Sequence, residues 1–320
     1  MARPPFSTTR LLERSRSAGM DDKTPSAAMR GGLRMNGFVK RSRPGLPLVT
    51  VATVSYNAAA DIEDTIRSVL EQTYDNVEYL VIDGGSTDGT VDIIRAHEHA
   101  IDLWICEPDR GIYDAMNKGI ALGTGDWFSF MNAGDRFAGD DVLALFCDAR
   151  FDAHAPGIAY GDTIVVDAQS REILSSAGEL RLRDFHYDTP VCHQSLFTNR
   201  MAFEAVGAYS ADLKLMADLD WLVRFMRLGA TRTCNRYRVD RPVARYRIGG
   251  KGYSSGERNY LERWRVARAY FPLRVRARYL IGFPLEMVLI RLRRLAKLIL
   301  GDSAIAYRWR RWRMGGSLSP

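Results

Sequence analysis

Carboxylates and amides gather at four points in the first half of this 320-residue chain, each where an apolar run ends. Ser55, Tyr56 and Asn57 close the first run. Asp83 closes the second and is followed by Gly-Gly-Ser-Thr, then Asp88 and Gly89. Glu107, Asp109, Arg110 and Gly111 follow the third, and Asn132, Ala133, Gly134 and Asp135 the fourth. Such an acidic rim repels a polyphosphate unless a divalent cation bridges the two, and that cation needs a carboxylate. Asp135 is its natural ligand. Asp135 can also be read as a helix N-cap, a role that Asp140 fills better. The glycine-rich phosphate loops are missing: the first turn reads SYNAAAD, with neither GxGxxG nor GxxxxGK[ST]. The Gly- and Arg-rich loop expected of a nucleotidyl transferase is absent there too.

The elements that must position these residues are legible from periodicity. LVTVATVSYN (48–57) is a β-branched run, hence a buried strand. Ile62, Ile66, Val69 and Leu70 mark one face of a helix. VEYLVID (77–83), IDLWICE (101–107) and DWFSFMN (126–132) read as further strands, with helices from Thr90 and over Tyr113 to Leu122. This alternation predicts an α/β fold with a mostly parallel sheet, whose ligands bind at the carboxyl ends of the strands. Beyond it, 157–167 and 172–176 predict a hairpin, Asn199 to Val206 and Asp218 to Leu228 helices, and 238–248 an extended segment.

Composition bounds the function classes. At 46% hydrophobic and 26% charged residues the chain is of ordinary globular type. No run of about 18 uncharged apolar residues suggests a spanning helix. Four cysteines, at 106, 147, 192 and 234, form no CxxC pair and are expected to be reduced thiols. Residues 1–47 hold ten Lys and Arg against three acids, residues 263–320 hold fourteen against two, and the whole chain is +7. The stretch between is therefore acidic. Basic ends on an acidic body do not suit a nucleic-acid binder, which carries its basic residues on the folded face. They suit an anionic membrane surface, and Arg with Trp and Leu in 271–313 suits an interfacial helix. The domain reading is a disordered basic segment over 1–47, a catalytic domain over 48–260 and a basic amphipathic helical tail over 261–320.

VSYNAAADIEDTIRSVLEQTYDNVEYLVIDGGSTDGT, continued by EPDRGIYDAMNKGIALGTGDWFSFMNAGD, resembles the inverting glycosyltransferases of family 2. Those that build bacterial exopolysaccharide, capsule or lipopolysaccharide are most similar, over about Leu48 to Ser255. The resemblance implies the GT-A fold, a nucleotide-sugar donor, Mg²⁺ or Mn²⁺, and a lipid-linked glycan acceptor at the cytoplasmic face of the membrane. It implies donor contacts from Ser55, Tyr56, Asn57, Asp83, Asp88, Asp109, Arg110 and Asn132, with Asp135 on the metal. Lys251, in a late glycine-rich loop, would reach phosphate. His193 and Gln194 resemble an acceptor-side HQ pair. The base falls in MADLDW, on Asp218 or, two residues on and about 200° around the helix, on Asp220. The chain departs from the commoner pattern twice: DDGS reads Asp83-Gly84-Gly85-Ser86, and the DxD-type motif Asn132-Ala133-Gly134-Asp135 lacks one carboxylate. The competing readings are a catalytically silent sugar-nucleotide scaffold and a nucleotidyl transferase of related topology.

Overall fold

A computed structural model describes residues 6–14, 28–147, 155–167, 169–186, 188–248, 256–282 and 288. The chain forms two compact units, Met1–Gly252 and Tyr253–Pro320. The first is built on a ten-stranded sheet. Before its centre come β1 (Glu13–Arg14), β2 (Met29–Gly31) and β3 (Phe38–Val39). The centre is β4 (Val49–Ser55), β5 (Val77–Asp83), β6 (Leu103–Cys106) and β7 (Trp127–Phe130), with every residue buried. These four run parallel in the order β6-β5-β4-β7. The register sets Ser55 opposite Asp83, and Asp83 opposite Cys106, so the polar ends share one rim.

Crossover helices α1 (Ile62–Leu70), α2 (Thr90–Ala96) and α3 (Ile112–Leu122) return the chain between these strands. α1 buries Ile62, Ile66, Val69 and Leu70, the face its spacing predicted. β8 (Arg136–Phe137) and α4 (Val142–Phe146) follow. The predicted hairpin is β9 (Gly157–Val166) with β10 (Glu172–Ser175). β11 (Leu196–Asn199) lies antiparallel between β7 and β9. α5 (Arg200–Val206) starts on the Asn199 side chain, which accepts from the Ala202 N–H at 2.9 Å. α6 (Ala217–Leu228) and β12 (Asn235–Arg247) complete the unit, β12 running parallel to β9. In the second unit, α7 (Gly256–Tyr270) carries Tyr260, whose ring meets Tyr279 edge-on at 5.7 Å. Among the described residues no helix is long and apolar enough to cross a membrane. Most of the expected amphipathic tail, from 283 apart from 288, lies outside the described residues.

The disorder expected over 1–47 is corrected wherever that segment is described. β2 pairs with edge strand β6, and β1 with β3. The Leu33 and Arg34 N–H groups donate to the Ile101 and Asp102 carbonyls at 2.9 and 2.8 Å. Arg34 bonds Glu78 of β5, and Lys40 reaches Asp102 at 2.6 Å with both side chains buried. Composition alone counted these cations as solvated. Glu78 and Asp102 sit in otherwise apolar strand runs and need partners there.

Candidate active site

At the β4–β5 end of the rim, Asp83 is fully buried. Its Oδ2 accepts from the Ser55 hydroxyl at 2.8 Å and the Ser86 hydroxyl at 2.6 Å. Its Oδ1 accepts from the Gly85 and Ser86 N–H groups and the Cys106 thiol at 2.8–3.1 Å. Five donors on one carboxylate use its acceptor capacity. Ser55 and Asp83 thus hold the loop that follows β5. Asp88 is likewise a brace, accepting from the Ala59 N–H at 3.1 Å and the Thr90 hydroxyl at 2.5 Å. The Thr90 bond holds its carboxyl below the usual range. Asn57, at φ +49°, accepts from the Thr87 N–H at 2.9 Å and joins the two loops. Tyr56, 54% exposed, presents its ring at the surface.

On the third loop, Asp109 accepts from the Gly111 N–H at 2.7 Å. Its other oxygen lies against Gly84, where an added Cβ would stand 2.5 Å away. The departure from DDGS thus has a local reason, since Asp109 brings a carboxylate to the space a side chain at 84 would need. Arg110 points to solvent and pairs with Asp114 at 3.0 Å.

The second cluster forms where β7 ends. β11 pairs with β7, so the turn preceding β11 delivers His193 and Gln194 beside the Asn132–Asp135 loop. Gln194 Nε2 donates to Asp135 Oδ2 at 2.7 Å, and the Arg247 N–H to Oδ1 at 3.2 Å. Burial raises the Asp135 carboxyl to about 6, although Gln194 and His193 oppose it. Asn132 Nδ2 is 2.7 Å from His193 Nε2, while its buried Oδ1 has no hydrogen-bond partner. On the far side of the ring, His193 Nδ1 is 3.7 Å from Asp218 Oδ2. Asp218, in the first turn of α6, accepts at Oδ1 from the Tyr113 hydroxyl at 2.9 Å and the Leu219 N–H at 2.8 Å. Burial alone would raise this carboxyl, but His193, Tyr113 and the Leu219 N–H outweigh it, so it lies below its ordinary value.

Among the described contacts Asp220, the alternative base, does not meet this cluster. It pairs with Arg224 one turn on, at 2.9 Å. Arg224 also donates to the Val206 and Ala208 carbonyls, so the pair ties α6 to the end of α5. Lys251 lies outside the described residues. Sequence reasoning missed Tyr113, although it stands in the quoted GIYDAMN block, because nothing local tells that this first turn of α3 faces α6. It also missed Cys192, whose thiol donates to Gln194 Oε1 at 2.6 Å and so turns the amide nitrogen toward Asp135.

Mg²⁺ and Mn²⁺ prefer oxygen ligands, and Asp135 offers a carboxylate on the rim. Among the described residues no group of three or more His, Cys, Asp and Glu is placed to hold a metal ion. The donor set fits an ion anchored by one carboxylate and carried with a bound diphosphate, and does not fit one caged by protein. With a cation on Asp135 the arrangement could seat an anionic leaving group there, and it holds a carboxylate proton acceptor at the His193–Asp218 end.

The model of "Glycosyl transferase family 2" matches residues 50–207. A "PGL/p-HBAD biosynthesis glycosyltransferase" of Mycobacterium tuberculosis is 30% identical over 250 residues, 77% of this chain and 90% of that one. Among solved structures, the mannosyltransferase PcManGT of Pyrobaculum calidifontis, in complex with GDP-Man and Mn²⁺, superposes with TM-score 0.53 at 21% identity. That match spans 84% of this chain and 80% of the other. A fragment of S. aureus TarS in complex with UDP-GlcNAc gives TM-score 0.55 at 17% identity, over 70% of this chain and 65% of the fragment. The match spans 39% of a longer TarS chain.

Proposed function

Because this chain belongs to glycosyltransferase family 2, we propose that it moves one sugar, with inversion, from a nucleotide-diphosphate donor to a hydroxyl of a growing, lipid-linked bacterial surface glycan. The acceptor oxygen attacks the anomeric carbon from the face opposite the diphosphate. The base of that displacement is centred on Asp218, with His193 and Gln194 on the acceptor side. Tyr56, Asp109 and Asn132 line the donor side, with Arg110 beside them. Mg²⁺ or Mn²⁺, held by Asp135, would neutralise the diphosphate as negative charge develops on it. The observation that carries this reading is the cluster in which one dipeptide, His193-Gln194, touches the Asp135 carboxylate through one residue and faces Asp218 through the other. Relatives and neighbours named for glycan biosynthesis, GDP-Man and UDP-GlcNAc support the class of donor and leave sugar and base open.

The basic tail over 261–320 would hold the enzyme at the anionic cytoplasmic face of the cell membrane, where each interfacial Lys or Arg contributes about 1 kcal/mol. The testing experiment incubates the full chain with a panel of UDP-, GDP- and dTDP-sugars, with and without Mn²⁺, and measures nucleoside diphosphate release. Release from at least one donor, lost with excess EDTA and in Asp135→Asn, is expected. Donor binding without turnover would favour the silent scaffold, and pyrophosphate as product would favour a nucleotidyl transferase.

A further inference from the structure

We propose that Tyr113 is the positioning residue for the base: its hydroxyl fixes one oxygen of Asp218 and leaves the other, Oδ2, turned to take the acceptor's proton. The inference rests on the glycosyl-transfer reading and deepens it. The Tyr113 hydroxyl is 2.9 Å from Asp218 Oδ1 and 3.2 Å from the Leu215 carbonyl. Neither a carbonyl nor a carboxylate can donate, so the proton between them is the tyrosine's, and the nearer, charged oxygen takes it. The Leu219 N–H donates to the same Oδ1 at 2.8 Å. One oxygen is thus held from two sides. At Oδ2 the described contact is the His193 ring nitrogen at 3.7 Å, longer than a hydrogen bond. The Asp218 side chain keeps 15% of its surface exposed, which leaves an acceptor hydroxyl a way in.

Tyr113 is well placed to hold a carboxylate still. It is 6% exposed, and its ring packs on that of Tyr209 at 5.6 Å. One turn further along α3, Asn117 donates to the Tyr209 carbonyl and accepts from the Tyr209 N–H, both at 2.9 Å. At the other end Gly111 caps α3, and the Lys214 ammonium donates to the Arg110 carbonyl at 2.5 Å. Residues 110, 113 and 117 therefore grip the stretch from 209 to 218 that leads into α6. An inverting displacement needs the acceptor oxygen on the face of the anomeric carbon opposite the diphosphate, so the base must keep a fixed place relative to the donor. Asp109, on the donor wall, stands four positions before Tyr113. The donor loop and the hydroxyl that aims the base are one continuous piece of backbone.

In the reaction the acceptor O–H bond breaks and its proton passes to Asp218 Oδ2. The oxygen's electron pair forms the bond to the anomeric carbon. The bond from that carbon to the diphosphate oxygen breaks, and its electron pair leaves on the diphosphate. Tyr113 keeps its own proton throughout. Without the hydroxyl, Oδ1 loses its side-chain donor and the carboxylate can turn away from the acceptor.

The test uses the full chain with Mn²⁺, the same donor panel and water as acceptor, followed by nucleoside diphosphate release. Tyr113→Phe keeps the ring against Tyr209 and removes the hydroxyl. It should lower kcat by about 10–10²-fold, the cost of misplacing a reacting group by an ångström, while donor KM stays within about threefold. Its melting temperature should stay near that of wild type. A lowered melting temperature or a raised donor KM, with kcat per folded molecule unchanged, would mean that the hydroxyl serves only the fold, and would overturn the proposal. Asp218→Asn should lower kcat by about 10²–10⁴. Tyr113→Phe/Asp218→Asn should be no slower than Asp218→Asn alone, because the hydroxyl acts through the carboxylate. Multiplied losses would overturn that. If Tyr113→Phe keeps near-normal turnover while Asp218→Asn is dead, the transfer reading stands and this inference falls. If the wild-type chain releases nucleoside diphosphate from no donor, both fall.

Discussion

Replacing Lys40 by Met should loosen the catalytic unit without touching the rim. Lys40 Nζ is fully buried, 2.6 Å from an Asp102 carboxylate that is itself 1% exposed. The only other polar partner of Asp102 Oδ2 among the described contacts is the Tyr79 N–H at 2.7 Å. Burial works against the charge on both members, lowering Lys40 and raising Asp102, and each partner's charge opposes that shift. Met fills the volume of the lysine stem and supplies no charge, so Asp102 is left ionised in the core or must take up a proton. Breaking one side of a buried pair costs about 3–5 kcal/mol. At roughly 2–4 °C per kcal/mol for a domain of this size, the melting temperature should fall by about 6–20 °C. The assay is thermal unfolding followed by circular dichroism, with nucleoside diphosphate release measured well below the transition. Activity per folded molecule should be unchanged. The double variant Lys40→Met/Asp102→Asn should recover most of the loss, because the amide oxygen can still accept from the Tyr79 N–H and no charge is left buried. A fall of less than about 2 °C in the single variant, or no recovery in the double, would show that the segment over 28–47 is not held by this pair.

Asp220→Asn should weaken the tie between α6 and the end of α5 and lower the melting temperature, with kcat within about threefold of wild type; a loss of about 10² or more would put the base at 220. Gly84→Ala sets a methyl 2.5 Å from the Asp109 carboxylate and should push that side chain off the rim. A raised donor KM with near-normal stability is expected, and an unchanged KM would remove Asp109 from the donor wall. Glu78 is buried, which by itself would raise its carboxyl, but Arg34, Thr124 and Thr50 outweigh that and hold it below the ordinary range. With the folded value below the unfolded one, its contribution is present above the unfolded pKa of about 4.3 and is lost as pH falls through the folded value. Urea unfolding of wild type and Glu78→Gln should therefore show a stability gap at pH 7 that closes on acidification; a gap that widens would refute the sign.

What was legible in the sequence was whatever repeats locally. The face of α1, the four central strands and the β9–β10 hairpin follow from spacings of two, or of three and four, and the polar strand ends follow from the parallel order. The segment before β4 shows no local signal because its order comes from single cations whose partners lie 44 and 62 positions away. The signal for it stood in the partners: VEYLVID and IDLWICE each carry a carboxylate inside a run that must be buried. A charge at such a position demands a counter-charge from elsewhere, and Arg34 and Lys40 lie outside any apolar repeat.

The two candidate bases show the same limit at closer range. The helical period separates Asp218 from Asp220 by about 200° but does not say which one faces the rim. The side-chain neighbours do. Asp220 has an arginine four positions on, at the spacing that makes a helical ion pair, and that pair is formed. Asp218 has no such ion-pair partner along its own helix; its side-chain partners are Tyr113 from α3 and His193 from the turn before β11. A carboxylate whose side-chain partner lies on its own helix is free to be structural, whereas one whose side-chain partners converge from two other elements is being aimed. The first kind can be read from spacing, and the second only from the sheet order that brings β11 beside β7.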